Sequence, residues 1–69
     1  MLKQRFVEIL IDGNWEVRTY AAVKKDMVVK IIDIDGTIVL TPDGKEEWYV
    51  VSDAYKIEDG YEFDCIPKE

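Results

Sequence analysis

Lys30-Ile31-Ile32-Asp33-Ile34-Asp35-Gly36-Thr37-Ile38-Val39-Leu40 is the segment around which the rest of the chain is organised. β-Branched residues crowd it and the residues just before it, and such side chains suit a pleated, half-buried surface better than a helix. Asp35-Gly36 in its middle is a hairpin signal. Glycine reaches positive φ at little cost, and aspartate tolerates it better than most residues. The stretch predicts a strand over 27–34, a two-residue turn at Asp35-Gly36 and a returning strand from Thr37.

The same pattern extends outward in both directions. Arg5-Phe6-Val7-Glu8-Ile9-Leu10-Ile11 reads as a first strand with Val7, Ile9 and Ile11 on one face, closed by Asp12-Gly13-Asn14. Trp15 to Tyr20 alternates, which predicts Trp15 and Val17 inside and Glu16 and Arg18 outside. Between Tyr20 and Lys30 the apolar residues Tyr20, Val23, Met27 and Ile31 also fall at helical spacing, with Thr19 as a cap. The β-rich run from Met27 argues for irregular chain or one helical turn at 20–26. Thr41-Pro42-Asp43-Gly44 and Glu58-Asp59-Gly60 are further turns. Glu46 to Val51 reads as a strand with Trp48 and Tyr49 on opposite faces. Ser52-Asp53-Ala54-Tyr55 breaks the β pattern, and Asp53 there suits hydrogen bonds to the amides that follow. Tyr61-Glu62-Phe63-Asp64-Cys65-Ile66 predicts an unbroken last strand, with Tyr61, Phe63 and Cys65 inward and Pro67 ending it.

Short strands joined by turns, some apolar on both faces, predict an all-β fold: a small curved antiparallel sheet or an SH3-like five-strand barrel. Closure would remove exposed edges. The alternative is an α+β fold with one short helix near residues 20–30. Sixty-nine residues make a single small β-rich domain, 1–69, near the lower limit of what folds alone.

The formal net charge of −6 is unevenly spread. Residues 1–30 carry six basic and four acidic groups, whereas residues 31–69 carry three and eleven. Direct nucleic-acid binding is therefore not expected, because a surface that tracks phosphates needs clustered Lys and Arg. Solubility, or a basic protein partner, suits this balance. No apolar run approaches the ~20 residues that span a membrane, and no signal-peptide pattern is present. The lone Cys65 cannot form an internal disulfide, so a cytoplasmic location is expected.

Asp33 and Asp35 are two apart on an extended segment, so their carboxylates point the same way. With Gly36 and Thr37 they resemble the first motif of haloacid-dehalogenase-type phosphatases, a hydrophobic strand followed by Asp-x-Asp-Gly-Thr. The resemblance implies a nucleophile at Asp33, an acid/base at Asp35 and a Mg²⁺ ion, and covers about ten residues. That family needs a parallel sheet with crossover helices, and only 32 residues follow Thr37, about one βαβ unit. A β-hairpin generates the same letters. A calcium loop aligned on Asp35-Gly36 fails as well, since Ile31 and Pro42 would fill its first and twelfth positions. Cys65 has no second Cys beside it, and the chain has no His. Neither an enzyme, nor a cofactor, nor a metal is expected.

Five of the eight aromatic residues, Trp48, Tyr49, Tyr55, Tyr61 and Phe63, fall within sixteen positions and are mixed with Asp53, Glu58 and Asp59. Some must form the core of so short a chain. The expected protein-binding set is Trp48, Tyr49, Asp53, Tyr55, Glu58 and Asp59, because aromatics beside acids receive Lys-, Arg- or Pro-containing segments. Lys24-Lys25-Asp26, Ile34-Asp35-Gly36-Thr37-Ile38-Val39, Asp43-Gly44, Ser52-Asp53-Ala54-Tyr55 and Asp59-Gly60 resemble small uncharacterised proteins of bacteriophages and prophages. That resemblance implies a phage-derived accessory role and no known activity. The expected function is a non-enzymatic protein-interaction or accessory module for an unidentified protein or peptide. The alternative is an acidic modulator that covers a basic surface of a nucleic-acid-binding partner. Homodimerisation through sheet edges is compatible with either.

Overall fold

A computed structural model describes residues 2–69, and in it the chain is a small, mostly antiparallel β protein. β1 (Phe6–Ile11) and β2 (Asn14–Thr19) form a hairpin, followed by a single 3₁₀ turn at Tyr20–Ala22. β3 (Val28–Ile32) and β4 (Trp48–Val50) come next, then β5 (Tyr55–Ile57), β6 (Gly60–Glu62) and β7 (Cys65–Pro67). Five strands make one sheet in the order β2-β1-β3-β4-β7, while β5 and β6 form a separate two-stranded ribbon. Every pairing among the named strands is antiparallel. The ambiguous stretch after Thr19 keeps only that one tight turn, not a longer helix. Among the described residues, no helix is long and apolar enough to cross a membrane.

Cross-strand partners share a face, so the register locates the core. Val7 opposes Ile31 and Ile9 opposes Val29, which in turn opposes Trp48. Val7, Ile9, Val29, Ile31 and Val50 are buried on this inner face, and Val23 and Phe63 cover it from outside the sheet. β2 is joined to β1 by Asp12-Gly13 at φ 49° and 82°, the pair of left-handed residues that a type I′ turn requires. That register sets Arg18 opposite Val7 and Glu16 opposite Ile9. Trp15 and Val17 therefore lie on the outer face, against the inward placement expected from alternation alone, and Val17 is 53% exposed. Alternation says which residues share a face, and the turn decides which face is inward.

The central stretch also departs from its expected form. The Asp33 amide donates to the Thr37 carbonyl at 2.8 Å and the Gly36 amide donates to the Asp33 carbonyl at 2.9 Å. These bonds enclose a three-residue loop, Ile34-Asp35-Gly36, with Gly36 alone at positive φ (87°). Asp35 stays out of the left-handed region because its carboxylate accepts from both the amide and the hydroxyl of Thr37. Thr41 to Lys45 repeats the arrangement, with bonds of 2.8 and 2.9 Å and Gly44 at φ 81°. The expected strands shorten accordingly: β3 ends at Ile32 and β4 begins at Trp48. The arm from Thr37 is held by an Ile32–Ile38 bridge and by the Val39 amide donating to Ile31, not by a full strand. Its room is limited because Trp48 and Tyr49 already pair with Val29 and Val28 on the same edge of β3.

The last predicted strand is likewise cut in two. Phe63 turns into the core and meets Tyr20 edge-on, with ring centroids 4.8 Å apart. The Asp64 amide donates to the Ser52 hydroxyl, and the Val51 amide donates to the Asp64 carbonyl. These bonds carry the chain from the ribbon back to the sheet edge, where Pro67 closes β7 opposite Trp48. Proline is tolerated there because an edge strand needs no second row of donors. Tyr61 falls on the ribbon before the crossing and is 44% exposed, so its expected inward position is corrected, and Cys65 is half-buried. Replacing buried Phe63 by Ala should cost about 3–5 kcal/mol, a large share of the ~3–10 kcal/mol available to a chain of this length. Tyr61→Ala should change stability by less than about 0.5 kcal/mol. Chemical denaturation of the two variants measures both.

Candidate functional site

The expected binding residues divide between fastening and exposed roles. Trp48 is half-buried and its indole N–H donates to the Val39 carbonyl at 3.2 Å. Tyr49 donates its hydroxyl to Asp26, which pushes the phenol pKa up. Asp53 accepts from the Lys25 amide at 2.8 Å, instead of from the amides that follow it. Asp26 lies at φ 74°, a conformation held by its amide donating to Val50 and by the Val50 amide donating to Met27. Tyr49 and Asp53 thus clamp the Lys24–Asp26 turn onto the sheet.

Tyr55, Glu58 and Asp59 all belong to the β5–β6 ribbon. Tyr55 lies on β5, not outside regular structure as expected, and its hydroxyl donates to Asp64 at 3.1 Å. That bond raises its pKa, with burial and the charges of Asp64 and Glu62 adding to the shift. Glu58 and Asp59 form the exposed tip of the ribbon. The structure therefore groups the three ribbon residues and separates them from Trp48, Tyr49 and Asp53.

A cleft of about 350 Å³ opens between this ribbon and the 3₁₀ turn, lined by Arg5, Thr19, Tyr20, Asp59, Tyr61 and Glu62 among others. Its two tyrosines differ. Tyr20 is half-buried against Phe63, and burial raises its pKa against the opposing effect of Arg5. Tyr61 leaves nearly half of its surface open. Arg5 does not stand free, because its Nε donates to Asp33 Oδ1 at 3.0 Å. Asp59 and Glu62 at the mouth make no ion pair with any described residue, although Glu62 accepts from the Phe63 amide at 3.3 Å. A second depression, of about 410 Å³, is bordered by Lys45, Glu46, Glu47, Lys68 and Glu69 and has no aromatic ring.

Of this cleft, only Asp59 belongs to the expected binding set. Tyr61 reads as core in the sequence because the unbroken alternation hides the crossing at Phe63-Asp64. Tyr20 lies in the one stretch with mixed periodicity, and Arg5 is far from the aromatic cluster along the chain. No sequence signal brings residues 5, 20 and 61 together.

Asp33 and Asp35 occupy the turn described above. Asp33 accepts from the Ile34 amide at 2.7 Å as well as from Arg5, and Asp35 accepts twice from Thr37. Both carboxyls are held below the usual aspartate range, Asp33 chiefly by the Ile34 amide and then by Arg5, Asp35 chiefly by the Thr37 hydroxyl and then by its amide. Among the described residues, no group of three or more His, Cys, Asp or Glu side chains gathers closely enough to hold a metal ion. Burial, with Glu62 and Asp64 nearby, pushes the Cys65 thiol up.

Comparison with family models, with curated proteins and with solved structures gives no match.

A carboxyl whose pKa is lowered on folding contributes stability above its unfolded value of about 3.9, and loses it as pH falls through the lower folded value. NMR titration of Asp33 and Asp35 should therefore show both midpoints below that of a free aspartate. Arg5→Ala should raise the Asp33 midpoint only part of the way, since the Ile34 amide remains, and should leave Asp35 in place.

Proposed function

We propose that this chain is a non-enzymatic interaction module that receives a basic segment of a partner protein in the cleft between the 3₁₀ turn and the β5–β6 ribbon. The observation that carries the reading is an open aromatic surface, Tyr61 beside Tyr20, bordered by two carboxylates without a cationic partner among the described residues, Asp59 and Glu62. A Lys or Arg head lying over Tyr61 gains from the ring's negative face, and a carboxylate at the rim holds its charge. Arg5 is paired with Asp33, which offsets part of its repulsion of such a group. The excess of acidic residues after position 30 steers a basic partner toward this half of the chain.

The finer architecture we assign is an SH3-like barrel left incompletely closed. A five-stranded sheet accompanied by a separate ribbon supports it, as does an overall extent of 31 × 25 × 23 Å. An accessory role, of the kind implied by the resemblance to phage and prophage proteins, fits a module that does its work by docking. The alternative, an acidic modulator lying over a wide basic surface, rests on the same charge but requires no particular cleft.

Titration with a short synthetic peptide containing Arg and Pro, followed by amide chemical shifts, separates these readings. The cleft reading expects shifts at Tyr20, Tyr61 and Glu62. Tyr61→Ala and Asp59→Asn should each weaken binding by about three- to tenfold, with the melting temperature little changed. Shifts scattered over the acidic surface, together with full loss of binding in moderate salt, would instead favour the modulator.

A further inference from the structure

The two outer strands of the main sheet are not alike. β7 is three residues long and ends in Pro67, which has no amide to offer a neighbour. β2 is six residues long, Asn14–Thr19, with neither proline nor a bulge in its register with β1. Natural sheet edges are ordinarily blunted by such devices, or by short length. The β2 edge is of ordinary length without proline or bulge, its charged residues Glu16 and Arg18 pair with each other, and Val17 at its middle is 53% exposed.

Hairpin geometry fixes which groups face outward. In a two-residue hairpin the residues flanking the turn exchange backbone bonds, so Asn14, Glu16 and Arg18 direct their amides and carbonyls to β1. Trp15, Val17 and Thr19 direct theirs to the free edge. The Arg18 guanidinium lies against this edge: it donates to the Val17 carbonyl at 2.9 Å and also pairs with Glu16. A side chain there takes the place that a neighbouring strand's amide would fill.

We propose that β2 is a self-association edge, which pairs antiparallel with β2 of a second copy about a twofold axis through Val17. In that register Val17 meets Val17 of the second copy, and Trp15 meets its Thr19. These are the residues whose backbone groups point outward, so all three pairs are hydrogen-bonded. Glu16 then faces Arg18 of the second copy, in a non-hydrogen-bonded pair where side chains approach most closely. The sequence Glu16-Val17-Arg18 is self-complementary in charge about its own centre. Shifting the register by one residue would set the outward-directed groups of one copy against residues whose groups are bonded to β1 in the other, and would lose both the backbone bonds and the charge match. The twofold requirement that residue i meets j while j meets i is satisfied twice by one Glu and one Arg.

Sedimentation of the full chain over a range of concentrations tests this. The native protein should form a dimer. Glu16→Lys sets a lysine against Arg18 of the second copy, and Arg18→Glu sets two glutamates together, so each variant alone should weaken the dimer by about tenfold or more. Mixed in equal amounts, the two variants should re-form a dimer at close to native strength. The lysine introduced in one chain then meets the glutamate introduced in the other, and the retained Arg18 meets the retained Glu16. Contacts within one chain cannot be repaired by mixing, so recovery is specific to a shared edge. Val17→Pro removes an outward amide and no β1 bond, and should give a folded monomer by circular dichroism. A native protein that stays monomeric near millimolar concentration, or single variants that do not recover on mixing, would overturn the proposal.

Discussion

β3 must hold three partners with five residues. One edge carries β1 along Val29 to Ile32. The other edge is divided: its first part pairs with Tyr49 and Trp48, and its second with Ile38 and Val39. Two short segments laid end to end leave a break in the ladder. The Trp48 indole closes that break by donating to the Val39 carbonyl, while its ring packs against the core. One side chain thus satisfies a polar group beside the core and holds two segments in line, which suits a residue with an apolar body and a single donor. The buried Thr41 at the end of the arm extends the same logic, its hydroxyl accepting from the Lys45 amide and donating to Asp43.

Burial is concentrated in a few small aliphatic residues. Val7, Ile9, Val23, Val29 and Val50 are almost wholly removed from water, and Phe63 supplies the one large ring among the buried residues. A core of this size leaves little margin, so loops are fixed by polar bonds instead of by further apolar contact. Asp53 holds the Lys25 amide, Tyr49 holds Asp26, and Ser52 holds the Asp64 amide. Several residues that look fit for recognition are consumed by this fastening, whereas Glu58, Asp59 and Tyr61 of the ribbon stay exposed.

Local chemistry in the sequence locates the turns well. Each of the four glycines sits at positive φ, near the positions where Asp-Gly and Pro-Asp-Gly signals place reversals. The all-antiparallel character is legible for the same reason, and the shortness of the turn after Thr19 is legible in the β-rich run that begins at Met27. The strand faces are less so. Trp15 and Val17 alternate with charged residues whichever side is inward, and only the register from Asp12-Gly13 settles it. Tyr61, Phe63 and Cys65 keep perfect spacing through a crossing between two sheets, because a tertiary bond from Ser52 leaves no mark on periodicity. The cleft is the least legible feature, since it joins residues from the first strand's approach, the 3₁₀ turn and the ribbon.

Amide and indole hydrogen exchange in the native protein and in Trp48→Phe tests the divided edge of β3 most directly. With the edge divided in this way, the Trp48 indole proton and the Val39 amide of the native protein should exchange together, as slowly as the β1–β3 amides. In Trp48→Phe, protection at Val39 and in the Thr41 turn should fall while the β1–β3 amides remain protected relative to them. Val39 protection unchanged by loss of the indole would contradict it, and would mean that the arm is held by β3 alone.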